Sequence, residues 1–539
     1  MGPSPINQHF IEKLLQDIWN RCVKNQPQNI DTWLHFLHQF FPNRTIEKGG
    51  NSTITSGLDL IAKVEEIFVF LSNCLPDSRK IFTKIDRSNE SLQLKSNSTK
   101  IVLCLSPSSI DLLVNSPQSQ FYKGVKIIRF PKGKIPNYFL DLISSNKGSA
   151  KTLLKTITDV SRIELEFTNE LFSRLGEIKS KPEKKLIYLT TILLILNEFK
   201  KYSILNDFKE SNFSNSKNCS LNEIILTIRK IMNKYEFKTE LIEVLFDSLD
   251  ELEVQNFQVD FDLIESVLNR YSFTLDEPSL STQEVAISPR TLSTIIEIIS
   301  TNLANIKKEG KFYTKLNEIE FISHLALYRL LELKITNVDS NYLINCIFKD
   351  WENNNRKSLK LFEPNFILPF IRILNPACGT GGFLVSITRL IGNLIDEQII
   401  QEGIKLELWG IDTDKIAIII TRLRLIFLKM NLKQRKFEAP LQFSAKNIKL
   451  CNFLTYNIPI SFDLVLGNPP WVRHEDIGIE KQSRYKESLI NRLKIIYGSS
   501  LVLDQKSDLY IYFCLISLSL LNKKGGILSF LTSNAWLEV

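Results

Sequence analysis

The spacing of apolar residues divides this chain into a helical part and a part in which short strands alternate with helices. Between residues 151 and 285 the apolar positions recur every three or four residues, which predicts amphipathic helices. The clearest of these stretches are Ser161–Leu175, Lys184–Lys200 and Leu221–Leu249. From Pro289, helical patterns lead to the Gly310 loop, and from Ile371 onward short continuous apolar runs predict strands, the first of them followed by a glycine loop and a helical pattern, as in parallel α/β sheets.

The first 150 residues carry a weaker pattern. Helical spacing from Phe10 to Phe41 gives way to strand-like runs such as Ile101–Leu105, and the Ser- and Asn-rich stretches Ser88–Thr99 and Ser106–Gln120 are typical of loops. We therefore expect three parts. They are a mixed or α/β region over 1–150, a helical region over 151–285, and an α/β domain over 286–539 whose mostly parallel sheet has helices on both faces.

Three apolar runs in the last part each end in residues suited to ligand binding. The run Ile371–Asn375 precedes a glycine loop, Pro376–Phe383, and then a helical pattern. The run Leu406–Ile411 ends in Asp412, and the run Phe462–Leu466 ends in Gly467-Asn-Pro-Pro-Trp471. Ligands of open α/β sheets bind at the carboxyl ends of the strands, so we expect these three segments to lie together. The glycine loop matches neither the dinucleotide fingerprint nor the P-loop.

The loop after the third run has a specific chemistry. Each proline fixes its own φ and biases the residue before it toward extended backbone, which restrains Asn468. The Asn468 amide oxygen and the Pro469 carbonyl are two acceptors, and Trp471 offers a flat face, so the loop suits a planar ring with an exocyclic NH2 group. The alternative is a strand followed by a Pro-Pro turn with a packed tryptophan.

These motifs resemble those of class I, S-adenosylmethionine-dependent, adenine-N6 DNA methyltransferases. Asn468, Pro469, Pro470 and Trp471 resemble the family's NPP(Y/F/W) catalytic loop, and Asp412 resembles its ribose-binding acid. The residues that resemble the methionine-binding loop are Asn375, Pro376, Ala377, Cys378, Gly379, Thr380 and Gly381. The resemblance covers roughly Ile287 to Val539 and implies a Rossmann-like methyltransferase domain that binds S-adenosylmethionine.

Two further segments match this family less closely. Gly310-Lys-Phe-Tyr313-Thr314 resembles the family's G-x-F-Y-T-P segment, but Lys315 stands where the proline is expected. Cys451-Asn452-Phe453-Leu454 stands where the family has G-D-F-L, whose acid accepts a hydrogen bond from the adenine of the cofactor. Asn452 still offers an amide oxygen but no charge, and Tyr313 and Phe453 are candidate walls of the cofactor site.

Composition is compatible with this reading and excludes some others. The net charge of +8, from 67 basic and 59 acidic residues, fits a protein that contacts phosphates with one face. With five histidines and no C-x-x-C pair among eight cysteines, we expect no metal site. Free thiols favour a cytoplasmic location, and the longest apolar stretches are shorter than a membrane span.

The amino-terminal part leaves a nuclease and a scaffold as alternatives. A metal nuclease needs an Asp and a Glu-x-Lys at adjoining strand ends. The candidates are poor, because Asp77 is followed by Gln93-Leu-Lys95, and Glu177-Ile-Lys179 lies in a helical pattern. The basic run from Lys123 to Lys134 is either a DNA contact or a solvated loop edge.

The expected activity is methyl transfer to N6 of an adenine flipped out of double-stranded DNA, within a restriction–modification or phage-defence system. The alternatives are an RNA adenine or a protein glutamine amide as acceptor, and a non-catalytic remnant or assembly subunit. Members of this family generally place target recognition after the catalytic half, yet the chain ends at Val539. We therefore expect recognition to come from a missing carboxyl-terminal domain or a separate subunit.

Overall fold

The computed structural model describes part of the chain in detail. The described residues are 28–29, 46–48, 53–54, 58–64, 67–72, 100–105, 109–115, 125–131, 161–174, 182–201, 218–235, 239–254, 258–277, 282–284, 286–301, 314–334, 370–396, 404–434, 441–473, 479–503 and 507–532. Within these residues, no helix is long and apolar enough to cross a membrane.

The described residues before 132 are strands. They are β1 Gln28–Asn29, β2 Ile46–Lys48, β3 Thr53–Ile54, β4 Leu58–Val64, β5 Ile67–Ser72, β6 Lys100–Leu105, β7 Ser109–Asn115 and β8 Val125–Pro131. Six of them, with β11 Thr282–Glu284, form a mixed sheet in the order β11-β8-β7-β6-β5-β4-β2. The prediction of a loop over 106–120 is wrong for Ser109–Asn115, which form β7. The basic run 123–134 lies partly in β8.

A set of helices follows, where the sequence predicts them. They are α1 Ser161–Arg174, α2 Pro182–Lys201, α3 Leu221–Lys234, α4 Thr239–Asp250, α5 Phe261–Arg270 and α6 Thr291–Thr301. The stretch expected as one helix over 221–249 is two helices, and Ser220 caps the first through its hydroxyl. Two short antiparallel strands, β9 Asn218–Ser220 and β10 Gln258–Asp260, pair beside them. The domain boundaries at 150 and 285 stay predictions.

The last part is a parallel sheet between helices. Its strands are β12 Phe370–Asn375, β13 Ile404–Asp412, β14 Leu441–Phe443, β15 Ile448–Leu450, β16 Leu464–Gly467 and β17 Ile527–Phe530. Its helices are α7 Leu316–Lys334, α8 Gly382–Asp396, α9 Lys415–Gln434, α10 Ile479–Tyr497 and α11 Leu509–Ser519. All described pairings in this sheet are parallel, in the order β14-β13-β12-β16-β17, with β15 also paired to β13. The expected α/β class is confirmed.

The side chains of the strands alternate between the two faces of the sheet, and a hydrophobic core lies on each face. Ile373, Leu408 and Leu464 pack with residues of α7, α8 and α9 on one face. Trp409 and Val465 pack with residues of α10 and α11 on the other face. Because side chains alternate along a strand, a strand buried on both faces is a continuous apolar run, as these runs are.

The strand order fixes where the site lies. From β12 the chain moves outward through β13 to β14, then crosses back so that β16 pairs with the other edge of β12. The crevice of an open α/β sheet forms at this switch point, outside the carboxyl ends of the strands. The glycine loop follows β12 and the Asn468 loop follows β16, so these two loops are neighbours.

Candidate active site

A cavity of about 440 Å³ opens at the carboxyl ends of β12, β13 and β16. Its walls come from the glycine loop, the turn after β13, the Asn468 loop, helices α6, α7 and α8, and the segment before α6. The sequence-predicted residues among its lining are Thr314, Pro376, Ala377, Cys378, Gly379, Thr380, Asp412, Asn452, Phe453, Asn468 and Pro470. The expectation that the three strand ends lie together is therefore confirmed.

Two glycines of the loop have positive φ for different reasons. Gly379 has φ +52°, and a Cβ built on it would meet no atom within 4 Å. Gly381 has φ +86°, and a Cβ there would lie 2.9 Å from Cγ2 of Thr421 on α9. Gly379 therefore leaves space beside the cavity, whereas Gly381 permits close packing of the loop on a helix.

Asp412 ties the glycine loop to the end of β13. Its Oδ2 accepts a hydrogen bond from the Gly379 N–H at 2.8 Å, and its Oδ1 accepts one from the Asp414 N–H at 2.9 Å. Burial raises the pKa of Asp412, and the backbone N–H donors oppose that shift. Each carboxylate oxygen has a second lone pair, so Asp412 can still accept from ribose hydroxyls.

Asn452 and Phe453 follow β15 and also line the cavity. The Asn452 Oδ1 accepts from the Leu454 N–H at 3.0 Å, and its Nδ2 donates to the Tyr485 hydroxyl at 3.1 Å. Phe453 stacks on Phe513 with ring centroids 5.2 Å apart. Phe513 also lines the cavity, so the pair forms an apolar wall suited to a flat ring.

Only the nitrogen of the Asn468 side-chain amide is hydrogen-bonded to a described residue. Its Nδ2 donates to Oγ1 of Thr314 at 3.0 Å. Its Oδ1 is buried and accepts no hydrogen bond from any described residue. A buried acceptor without a donor costs free energy, on the order of 1–3 kcal/mol. Since Asn468 lines the cavity, a ligand N–H there would satisfy this oxygen.

Several sequence-predicted residues lie beside the cavity instead of lining it. Asn375 is fully buried, and a Cβ on Gly467 would lie 2.5 Å from its Oδ1, so Asn375 packs between the two loops. Trp471 is 36% exposed and donates its indole N–H to the Leu531 carbonyl at 3.3 Å. Gly381 and Pro469 also fall outside the lining residues, and Tyr313 lies outside the described residues.

The segments around α6 contribute lining residues that carry no motif. Glu277, Arg290, Ser293, Ile296 and Glu297 come from α6 and the segments before it. Burial raises the pKa of Glu297, while the charges of Arg290 and Arg424 lower it. No local pattern in the sequence distinguishes these residues from surface positions, so sequence reasoning missed them.

The cavity fits S-adenosylmethionine. Asp412 would hold the ribose, the wall formed by Phe453 and Phe513 would contact one side of the adenine, and the open space at Gly379 would admit the remainder of the molecule close to the backbone. Asn468 offers its unsatisfied acceptor to a second molecule that carries an N–H group.

Comparison with known proteins identifies the carboxyl-terminal segment. Residues 407–538 match the family described as Eco57I restriction-modification methylase. The type II methyltransferase M.BanIII of Aneurinibacillus aneurinilyticus is 31% identical over 171 residues, which are 31% of this chain and 26% of that protein. The type II methyltransferase M.XhoI of Xanthomonas vasicola is 27% identical over 235 residues, which are 42% of this chain and 34% of that protein.

A solved structure shows a more distant similarity. The type I restriction-modification methyltransferase subunit from Streptococcus thermophilus has 12% identity, with 69% of this chain and 73% of that chain covered, at a TM-score of 0.32. Because this TM-score is low, the similarity does not support a fold assignment, which depends on the strand order instead. The family match and these relatives show that the carboxyl-terminal segment is similar to methyltransferases of restriction–modification systems.

Proposed function

We propose that this chain transfers a methyl group from S-adenosylmethionine to N6 of an adenine flipped out of double-stranded DNA. The observation that carries the proposal is the buried Asn468 Oδ1, which lines the cavity and accepts no hydrogen bond from a described residue. An exocyclic amine has N–H groups of the kind that this oxygen requires.

The chemistry of the acceptor explains why an amide suits this position. The amine of adenine is a weak nucleophile because its lone pair is delocalised into the ring. Asn468 Oδ1 and the Pro469 carbonyl accept the two N–H groups and favour the tetrahedral nitrogen of the transition state. This is electrostatic stabilisation by a preorganised site, and it requires no strong base.

The loop around Asn468 preorganises that acceptor. Thr314 accepts from Nδ2 and thereby orients Oδ1, and the two prolines restrain the backbone on the other side. S-adenosylmethionine supplies a methyl group already activated by its sulfonium. The residues of the chain therefore contribute position, alignment and hydrogen bonds.

A base inside a duplex cannot reach this cavity, so the proposal includes base flipping. Flipping costs a few kcal/mol, and stacking on an aromatic ring returns about 1–3 kcal/mol per base. The partly exposed Trp471 is the residue we propose for that stacking. The surplus of basic residues in the whole chain supports binding to a phosphate backbone.

The biological setting is also part of the proposal. The matched segments make up 26% and 34% of the two type II methyltransferases, so their activities do not transfer to this chain as they stand. We propose a cytoplasmic restriction–modification or phage-defence system in which another domain or subunit reads the target sequence.

Labelled methyl transfer tests this function directly. The protein would be incubated with S-adenosylmethionine labelled in the methyl group and with double-stranded DNA, RNA or protein, and the modified base identified by mass spectrometry. We expect N6-methyladenine in DNA, formed about 100- to 1000-fold more slowly by Asn468→Ala. Label in RNA adenine or in a glutamine amide would contradict the DNA proposal. Absence of label with DNA and every candidate recognition subunit would favour a non-catalytic role.

A further inference from the structure

Two side chains of α9 hold the glycine loop through its backbone carbonyls, and one of them, Arg424, also lines the cavity. Thr421 donates its hydroxyl to the Gly379 carbonyl at 2.8 Å. One turn further along α9, Arg424 donates from its NH1 to the Thr380 carbonyl at 2.6 Å. Two successive carbonyls of the loop are thus fixed by one helix.

Fixing those carbonyls also fixes the direction of the next N–H groups. A peptide unit is planar and trans, so its N–H points opposite to its C=O. With the Gly379 carbonyl bound toward α9, the Thr380 N–H points away from that helix. By the same rule, the Thr380 carbonyl bound to Arg424 turns the Gly381 N–H to the opposite side, where it donates to the Cys378 carbonyl at 2.9 Å and closes the turn of the loop. Thr421 and Arg424 therefore fix two successive peptide planes of a loop that lines the cavity.

Arg424 is in turn held by Glu277 of the helical region and by Ser293 of α6. Its Nε and NH2 donate to the two carboxylate oxygens of Glu277 at 2.7 and 2.5 Å, and NH1 also donates to the Ser293 hydroxyl at 3.1 Å. The side chains of Arg424 and Glu277 are only 5% and 7% exposed. A second arginine, Arg389 of α8, donates to the Glu277 carbonyl at 2.9 Å.

This arrangement differs from an ordinary packing contact. A bidentate arginine–carboxylate pair fixes orientation as well as distance, because both groups are planar. Burying two charges is costly, and such a pair contributes little net stability compared with apolar packing. Its geometric effect on the Thr380 carbonyl is therefore the property that distinguishes it.

We propose that Glu277 and Arg424 are positioning residues through which the helical region holds the glycine loop in its cofactor-binding conformation. The inference deepens the proposed function, because it takes the cofactor to lie over this loop. It also makes the helical region a part of the cofactor site, although that region carries none of the methyltransferase motifs.

The chain contains a matched control pair. Arg422 lies on the same helix and pairs with Glu251 of the preceding region at 2.7 Å. Its Nε and NH2 also donate to a backbone carbonyl, that of Ile448, at 3.3 and 3.0 Å. The Arg422–Glu251 pair therefore joins the same two parts of the protein, but the carbonyl it holds belongs to β15 and not to the glycine loop.

Calorimetric titration of the full chain with S-adenosylmethionine and with S-adenosylhomocysteine tests the proposal. We expect Arg424→Gln to weaken both ligands at least about tenfold, because it removes hydrogen bonds made by a charged donor. Glu277→Gln, which preserves size, should weaken both about fivefold. Arg424→Lys should fall between the wild type and Arg424→Gln, because one ammonium cannot reproduce the planar fork. Arg422→Gln and Glu251→Gln should leave the affinities unchanged.

The outcomes separate this inference from the proposed function. A wild-type chain that binds neither ligand would contradict the placement of the cofactor itself. A wild type that binds, with Arg424→Gln binding equally well, would overturn the positioning role alone. Equal losses in the Arg422 and Glu251 controls would overturn it too, since general packing of the two parts would then account for the effect. If Arg424→Gln does not fold, as judged by thermal unfolding, Glu277→Gln and Arg424→Lys decide the question.

Discussion

The side-chain amide of Asn468 and the hydroxyl of Thr314 are joined by a hydrogen bond of 3.0 Å between Nδ2 and Oγ1. Thr314 stands directly before α7, whereas Asn468 follows β16, so the bond connects the segment before the helix to the end of the central sheet. Its consequence is directional: the bond fixes the amide plane, and Oδ1 is a buried acceptor that has no donor among the described residues.

Asn468→Ala should lower methyl transfer about 100- to 1000-fold while cofactor binding stays near normal. The amide is proposed to contact the acceptor amine and not the cofactor, and its hydrogen bond strengthens as the nitrogen becomes tetrahedral. Single-turnover rates and titration with S-adenosylmethionine measure the two effects separately. Near-normal turnover would mean that the loop has only a structural role.

Thr314→Val should lower the single-turnover rate about two- to tenfold, which is the range expected for one neutral hydrogen bond. Valine has nearly the same shape but cannot accept from Nδ2, so the Asn468 amide loses its orientation. Thr314→Ser keeps the hydroxyl and serves as the control. A Thr314→Val enzyme as fast as the Thr314→Ser enzyme would show that the loop orients Asn468 without this bond.

Trp471→Ala should affect the nucleic acid more than the chemical step. Loss of stacking is expected to weaken the flipped-base complex by about 1–3 kcal/mol, seen as a higher KM for DNA with a smaller change in kcat. Fluorescence of 2-aminopurine at the target position reports base flipping directly. Unchanged fluorescence and KM would assign Trp471 to the structure of the loop through its bond to Leu531.

Asn452→Asp should strengthen cofactor binding. The carboxylate would accept from the cofactor's amine with charge assistance, and such hydrogen bonds are about twice as strong as neutral ones. It can still accept from the Leu454 N–H, and it can accept from the Tyr485 hydroxyl in place of the present donation. Calorimetry at neutral pH checks the direction, and weaker binding by the aspartate variant would contradict the placement of adenine beside residue 452.

Cofactor affinity should depend on the ionisation of Asp412. Burial raises the pKa of this carboxyl, so protonation begins at a higher pH than for an ordinary aspartate. Protonation removes an acceptor for the ribose hydroxyls, and the affinity should therefore fall as the pH decreases through this raised pKa. Titrations over a pH series measure the effect. Asp412→Asn should bind weakly at every pH, because its NH2 group would face the N–H of Gly379 or of Asp414.

Elements that have a distinctive local residue pattern could be predicted from the sequence. A strand buried on both faces is a continuous apolar run, and the glycine loop and the Asn-Pro-Pro-Trp loop each follow such a run directly, so their meeting at one sheet edge was predictable. Over 106–120 the serine and asparagine content outweighed the alternation of Ile110, Leu112 and Val114, and the strand β7 was missed for that reason.

The site residues that could not be predicted contact partners that are far away along the chain. Glu277 and Arg424 are 147 positions apart, and a buried arginine on a helix has the same local pattern as an exposed one. Only the packing of the helical region on α9 reveals their partnership. In the same way, nothing local indicates that Asn375 packs against Gly467 while its neighbours Pro376 and Ala377 line the cavity.

The pairing of β12 with β16 has a consequence for the reacting distance. Hydrogen-bonded strands are about 4.8 Å apart, and that spacing is set by backbone geometry and not by side chains. The loop proposed to hold the methyl donor and the loop proposed to hold the acceptor base begin on these two adjacent strands. Substitutions that keep this backbone pairing intact therefore leave the starting points of the two loops at the same separation.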